Sequence, residues 1–165
     1  MLSRDEFVSR YGGVFEHSPF VAERAYDDGF VGDELTVDRV HTALVAIFRA
    51  ASPEERLGVL RAHLDLAGRL VIAGELTEDS KKEQVGAGLD RLSAEEHARF
   101  TELNGAYVEN FGFPFIIAVK GLNRDDILAA FEKRINNTRD EEFETATSQV
   151  ERIAFLRLET MLPGR

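Results

Sequence analysis

Eleven residues, F-G-F-P-F-I-I-A-V-K-G from Phe111 to Gly121, form the one clearly non-helical hydrophobic segment of this sequence. Gly112 and Pro114 interrupt the segment too closely for a helix, whereas the flanking regions have the periodicity of amphipathic helices. We therefore expect this segment, called the strip below, to lie inside a helical body. Its backbone N–H and C=O groups then need hydrogen-bond partners, and a bound polar small molecule that lies against the strip is one candidate.

Helix-start signals recur along the chain and predict an all-α fold of about eight or nine helices. A capping residue precedes an acidic residue by three positions in four places: Ser3 with Glu6, Ser52 with Glu55, Ser93 with Glu96, and Asn123 with Asp126. Apolar residues at helical spacing predict helices over 35–50, 53–73 and 139–161, and Ser18-Pro19 predicts another start that Gly29 ends. With 165 residues and no linker or repeat, we expect one compact domain over 1–165.

Composition excludes several classes of function. The chain has no cysteine, which rules out disulfides and thiolate chemistry and suits the cytoplasm. A net charge of -10 argues against binding to nucleic acid or to an anionic membrane, and no apolar run approaches the roughly 18 residues of a membrane helix. The four histidines are scattered without metal-ligand spacing, so we predict no metal site.

His63 is the best candidate for acid/base chemistry. It lies in L-R-A-H-L-D-L, where apolar neighbours could hold its ring beside a pocket, and imidazole exchanges protons near neutral pH. From periodicity alone, a half-buried histidine with a satisfied hydrogen bond is favoured by roughly three to one.

Two further polar groupings have functional and structural interpretations. Ser80, Glu83 and Gln84 would share one helix face as a hydroxyl, a carboxylate and an amide, although their spacing alone favours a solvated first turn. Arg157 interrupts the apolar run I-A-F-L-R-L. A buried guanidinium there would bind a carboxylate, whereas the favoured alternative places Arg157 on the outer face near the helix C-terminus.

These segments occur in the order typical of one family, and the sequence resembles the 2-oxo-4-hydroxy-4-carboxy-5-ureidoimidazoline (OHCU) decarboxylases of urate degradation over nearly its whole length. The matching blocks are F-E-H-S-P-F-V-A-E-R-A from Phe15, H-L-D-L-A-G from His63, S-K-K-E-Q-V-G-A-G-L from Ser80, F-T-E-L-N-G-A-Y-V-E-N-F-G-F-P-F-I-I-A-V-K-G from Phe100, R-I-N-N from Arg134, and I-A-F-L-R-L from Ile153. Two positions depart from the family: Leu64 replaces the usual proline, and Phe20 stands where tryptophan is common.

The resemblance implies a reaction and a set of site residues. Such enzymes are helical, commonly form homodimers, convert the anionic small molecule OHCU to (S)-allantoin, and need neither metal nor organic cofactor. By position, the catalytic residues would be His63, Glu83 and Arg157. The substrate-binding residues would be Leu64, Ser80, Gln84, Phe115, Ile116, Ile117, Ala118 and Val119. A 5-hydroxyisourate hydrolase is the implied functional partner.

The sequence leaves two other functions open. Because leucine at position 64 restores an N–H and frees the backbone after His63, the chain could be a related helical protein that binds a purine-derived ligand without turning it over. The other alternative is a structural or interaction module, in which the strip is core and the polar residues named above are solvated.

Overall fold

The computed structural model describes residues 2–29, 35–63 and 93–162. Every regular element in these ranges is an α-helix, which confirms the all-α class. The seven helices are α1 (Arg4–Tyr11), α2 (Phe20–Asp27), α3 (Val37–Ala50), α4 (Pro53–Ala62), α5 (Ala94–Phe111), α6 (Arg124–Arg134) and α7 (Arg139–Met161). The prediction of eight or nine helices also covered residues 64–92, which lie outside the described ranges.

Four predicted helix starts are confirmed by their hydrogen bonds. At Ser3, Ser93 and Asn123, the side chain accepts a bond from the N–H three residues on, and the acidic side chain at that position accepts a bond from the cap N–H. Ser52 and Glu55 make the same reciprocal pair at 3.1 Å each. Each pair satisfies two N–H groups that the first helical turn leaves without intrahelical partners, and so fixes where the helix begins.

The helix predicted over 53–73 is wrong at His63, because α4 ends at Ala62 and His63 lies in a bend. Apolar periodicity identifies a helix better than it identifies the residue at which the helix ends. Residues 64–73 of that prediction lie outside the described ranges. The helix predicted over 139–161 has the bounds of α7, and the helix predicted over 35–50 begins two residues later, after the capping Thr36.

The described residues fall into two compact units, Met1–Ala62 with Val150–Arg165, and His63–Gln149. In the first unit, α2 packs against both α1 and α3. Its core includes apolar side chains from the helices and from the turn after α1, namely Phe7, Tyr11, Val14, Phe15, Val21, Val40, Leu44, Phe48, Leu60, Ile153 and Leu158. The Phe15 and Phe48 rings meet edge to face at 5.1 Å, which ties that turn to α3.

The second unit has an aromatic core built around Tyr107 of α5. The Tyr107 ring lies 4.6–5.9 Å from four phenylalanine rings, those of Phe111, Phe113, Phe115 and Phe131. Three of these rings belong to the strip, which leaves the end of α5 at Gly112, a residue in the left-handed conformation that glycine adopts without steric cost. The strip is therefore non-helical after Phe111 and anchored in the core by its aromatic side chains, as the sequence predicts.

Hydropathy gives one further result for the described helices. None of them combines the length and the apolar character that crossing a membrane requires.

Candidate functional site

The strip lies buried without being part of a sheet. Phe113, Phe115, Ile116 and Val119 are each at most 5% exposed, whereas Lys120 at the end of the strip is exposed. No strand is present in the described ranges, so the strip cannot satisfy its backbone through a sheet ladder with them. Side chains of α6 and α7 supply partners instead.

Arg134, at the end of α6, binds the backbone of the strip. Its Nη1 donates to the Ile116 carbonyl at 2.7 Å, while Nε and Nη2 donate to the Glu142 carboxylate at 2.9 Å each. The Arg134 guanidinium also lies 4.4 Å from the centre of the Phe115 ring, which stacks on Phe131 at 3.8 Å. Because Phe131 and Arg134 are three residues apart on α6, one helix face contacts both the ring and the carbonyl.

Glu142 is fully buried, and its charge is compensated on both oxygens. Beside the arginine, Oε1 accepts from Asn137 Nδ2 at 3.1 Å and Oε2 accepts from the Tyr107 hydroxyl at 2.6 Å. Burial, and then the bond to Glu142, raise the pKa of Tyr107 above its ordinary value. The Tyr107 hydroxyl therefore stays protonated and acts as a donor that keeps Glu142 in place.

Gln149 of α7 binds the strip two residues further on. Its Oε1 accepts from the Ala118 N–H at 2.8 Å. With the bonds from Arg134 to the Ile116 carbonyl and from the Leu122 N–H to the Val119 carbonyl, three backbone groups between Ile116 and Val119 are bonded to described residues. The N–H and C=O of Ile117 are not among them, although Ile117 is only 9% exposed. These two groups lie between the two side-chain contacts, and they are candidates for bonds to a bound polar molecule.

Arg157 is buried on α7, so the interpretation that placed it on an outer face is wrong. Its side chain is 4% exposed, and its Nη2 lies 3.9 Å from Oε2 of Glu16, whose side chain is 3% exposed. Nη1 donates to the Val14 carbonyl at 3.4 Å. A guanidinium has five N–H donors, and these contacts with one turn of chain involve two of its nitrogens.

That turn, Val14 to Ser18, has an unusual backbone. His17 has a φ of 55°, and among the described residues it is the only one other than glycine with a positive φ. The Ser18 N–H and hydroxyl close the turn on the Phe15 and Glu16 carbonyls at 2.9 and 3.3 Å. A left-handed residue other than glycine is energetically costly and persists only where surrounding contacts fix it. In the same turn, Glu16 is buried beside Arg157.

His63 directly follows α4 and is 6% exposed, so it is more buried than the half-buried histidine expected from periodicity. The other residues predicted around it, Leu64, Ser80, Glu83 and Gln84, lie outside the described ranges, and their roles stay predictions.

Four buried or half-buried polar residues were not identified as site residues from the sequence: Glu16, Arg134, Glu142 and Gln149. Arg134 ends a helix and Glu142 lies in the first turn of one, where charges are favourable on the surface as well, so position alone gave no reason to expect burial. Glu16 and Arg134 do belong to the quoted blocks F-E-H-S-P-F and R-I-N-N. Their presence in those blocks was the sequence feature that could have identified them as site residues.

Comparisons with known proteins point to one family. Residues 1–159 match the family model for OHCU decarboxylase. A 2-oxo-4-hydroxy-4-carboxy-5-ureidoimidazoline decarboxylase from Haloferax volcanii is 43% identical over 157 residues, which cover 95% of this chain and 89% of that protein. The protein of the same name from Halalkalicoccus jeotgali is 40% identical over 162 residues, covering 98% and 88%.

Among solved structures, a crystal structure of (S)-allantoin synthase superimposes with a TM-score of 0.78 at 32% identity. The match covers 98% of this chain and 51% of that one, so this chain spans about half the length of that protein. The family model and the two archaeal relatives extend over nearly all of the present sequence. The chain belongs to the OHCU decarboxylase family.

Proposed function

We propose that this protein is a carboxy-lyase that decarboxylates OHCU to (S)-allantoin in urate degradation. The family match over residues 1–159 carries the proposal. The burial of His63 and Arg157 supports it, because a histidine and an arginine at most 6% exposed are unusual unless they have specific partners. The substrate is a small anion, and Arg157 is the cation that the family position assigns to it.

The reaction needs orientation, charge stabilisation and proton transfers. The bond between the ring carbon and its carboxylate breaks, CO2 leaves, and the electron pair enters the adjacent C=N and ureido system. The nitrogen of that C=N takes up a proton. A proton is then added to the carbon that carries the ureido group, and the neighbouring hydroxyl loses its proton to become the ring carbonyl, so the reaction consumes one proton overall. Because the substrate delocalises the electron pair itself, no separate electron sink is required.

The site residues would share these steps. His63 would transfer the proton on one face, which sets the S configuration. Arg157 would bind the carboxylate and the charge that develops from it. Glu83 and Gln84 would hold the ureido arm, with Ser80 as a further contact and Leu64 beside it.

The strip would read the ring amides through its backbone from Phe115 to Val119. The N–H and C=O of Ile117, which lie between the bonded Ile116 carbonyl and Ala118 N–H, would contribute two of these contacts. We further propose a homodimer, a cytoplasmic location, and a 5-hydroxyisourate hydrolase as functional partner. Size-exclusion chromatography with light scattering tests the first of these.

Circular dichroism during urate breakdown tests the activity. Urate oxidase and 5-hydroxyisourate hydrolase generate OHCU in situ, and the dichroic signal of (S)-allantoin should grow faster when this protein is added. His63→Ala should remain folded yet lower the rate by at least about 100-fold, the range for loss of a general acid/base. Glu109→Gln, at an exposed position of α5, is the control and should match the wild type.

Two results would contradict the proposal in different ways. Wild-type protein that binds (S)-allantoin but does not accelerate its formation would identify a non-catalytic binding protein. Full activity of the His63→Ala variant would keep the reaction but remove His63 from its assigned role.

A further inference from the structure

Two side chains hold the strip on either side of Ile117. Arg134 Nη1 donates to the Ile116 carbonyl at 2.7 Å, and Gln149 Oε1 accepts from the Ala118 N–H at 2.8 Å. We propose that Arg134 and Gln149 are positioning residues, which determine the backbone groups that the strip presents to the substrate. This inference rests on the proposed role of the strip in ring recognition.

Peptide planarity converts these two contacts into an orientation for Ile117. The described peptide bonds are all trans, so the C=O and N–H of one peptide unit point in opposite directions. Since the Ile116 carbonyl points at Arg134, the Ile117 N–H points away from Arg134. Since the Ala118 N–H points at Gln149, the Ile117 carbonyl points away from Gln149. Ile117 thus offers a donor directed away from Arg134 and an acceptor directed away from Gln149.

A donor and an acceptor on one residue match the chemistry of a cyclic ureide. The ring of such a molecule carries an N–H next to a C=O, and it can exchange two hydrogen bonds with one extended residue, as paired residues of antiparallel strands do. If either positioning side chain is lost, the peptide unit that it holds can rotate. Ring binding should then weaken, while proton transfer and carboxylate binding, which other residues perform, should change little.

Both side chains lie on regular helices, and Arg134 also has partners of its own. Arg134 is held by two bonds to buried Glu142 and by contact with the Phe115 ring. Gln149 is half-buried on α7, a helix of 23 residues. Groups locked by their own partners on regular helices maintain a binding geometry more accurately than groups on loops.

Gln149→Leu is the first test, because it removes the acceptor without leaving a buried charge. The Kd for (S)-allantoin, measured by isothermal titration calorimetry, should rise about tenfold, since one oriented hydrogen-bond pair is weakened. The KM for OHCU generated in situ should rise in parallel, while kcat should change by less than about threefold. Ser148→Ala, at an exposed neighbouring position of α7, is the matched control and should bind like the wild type.

The double substitution Arg134→Met with Glu142→Gln is the second test, chosen because it does not leave the carboxylate of Glu142 unpaired. It should weaken (S)-allantoin binding in the same direction. Amide hydrogen exchange of the ligand-free protein gives a reading that does not depend on activity. The Leu122 N–H donates to the Val119 carbonyl and makes no hydrogen bond with any of the three substituted residues. It should exchange faster in both variants, while the amides of α5 keep their protection.

The outcomes separate this inference from the proposed function. A folded Gln149→Leu variant with unchanged Kd and unchanged exchange at Leu122 overturns the positioning role, as does a lower kcat at unchanged KM. If the wild-type protein does not decarboxylate OHCU, the proposed function fails instead, and the exchange rate at Leu122 decides the positioning role by itself. If the double variant does not fold, Gln149→Leu decides the question.

Discussion

Exchanging Glu16 for glutamine tests the buried ion pair with Arg157. The two side chains are 3% and 4% exposed, and Oε2 of Glu16 lies 3.9 Å from Nη2 of Arg157. At this distance and an effective dielectric constant of about 20, the attraction between the charges is about 4 kcal/mol. Removing one partner of a buried pair costs about 3–5 kcal/mol in other proteins. We expect Glu16→Gln to lower the free energy of unfolding by about 2–4 kcal/mol, because glutamine keeps the shape of the side chain.

A double-mutant cycle isolates the pair from the other contacts of each residue. The variants Glu16→Gln and Arg157→Met and their combination are compared by urea unfolding followed with circular dichroism. Because the combination leaves neither charge unpaired, its destabilisation should be smaller than the sum of the single effects by about 1–3 kcal/mol. Glu54→Gln removes an exposed carboxylate of the same unit and should stay within about 0.5 kcal/mol of the wild type.

The same four proteins can be compared by their kcat. If Glu16 acts through Arg157, the Glu16→Gln change should lower kcat in the wild type and have little further effect in the Arg157→Met background. A coupling energy below about 0.5 kcal/mol in unfolding would refute the buried-pair argument. If the two substitutions instead lower kcat by independent, multiplicative factors, Glu16 does not act through the Arg157 guanidinium.

The remaining predictions concern three local features. Asn123→Ala removes the side-chain cap of α6 and should cost about 1 kcal/mol of stability in urea unfolding; a loss below about 0.3 kcal/mol would contradict the capping argument. The bond from Arg24, and then those from Ser52, lower the pKa of Glu55 to about 2, so its side-chain carbon resonance should titrate near that pH and return toward 4.5 in Arg24→Ala. The contribution of the ionised Glu55 to the free energy of unfolding is present above pH 4.5 and is lost as the pH falls toward 2. A Glu55 titration at its ordinary pH would contradict this prediction. Burial raises the pKa of Tyr107 above 10.0, its ordinary value. The contribution of the protonated Tyr107 to the free energy of unfolding is therefore complete below pH 10 and is lost as the pH rises further. Tyr107→Phe should therefore flatten the decline of stability above pH 10, and an equally steep decline would contradict the assignment.

The parts of the fold that depend on neighbouring residues were predictable from the sequence. The caps at Ser3, Ser52, Ser93 and Asn123 each involve partners three residues apart, so the hydrogen bonds that start the helices can be identified in the sequence. The strip was predicted for the same reason, since Gly112 and Pro114 act on their own backbone.

The partners of the buried charges were not predictable in this way. Arg157 meets a carbonyl 143 positions away, and Arg134 and Glu142 have surface interpretations that local patterns favour equally. Burial of a charge depends on which segments pack around it, and a hydrophobic pattern does not encode that pairing. The resemblance placed Arg157 in a site, but it gave no information on Glu16 as its partner.

The strip shows why a correct local prediction can still leave the partner open. Its sequence implied buried backbone groups that need hydrogen bonds, and a ligand was one candidate for all of them. In the structure, protein side chains bind the Ile116 carbonyl and the Ala118 N–H, and the Ile117 groups between them point elsewhere. Because both kinds of partner satisfy the same requirement, the sequence could not distinguish them. The side chains of α6 and α7 therefore remove these two groups from the set that a ligand could bind, and the Ile117 groups stay among the candidates.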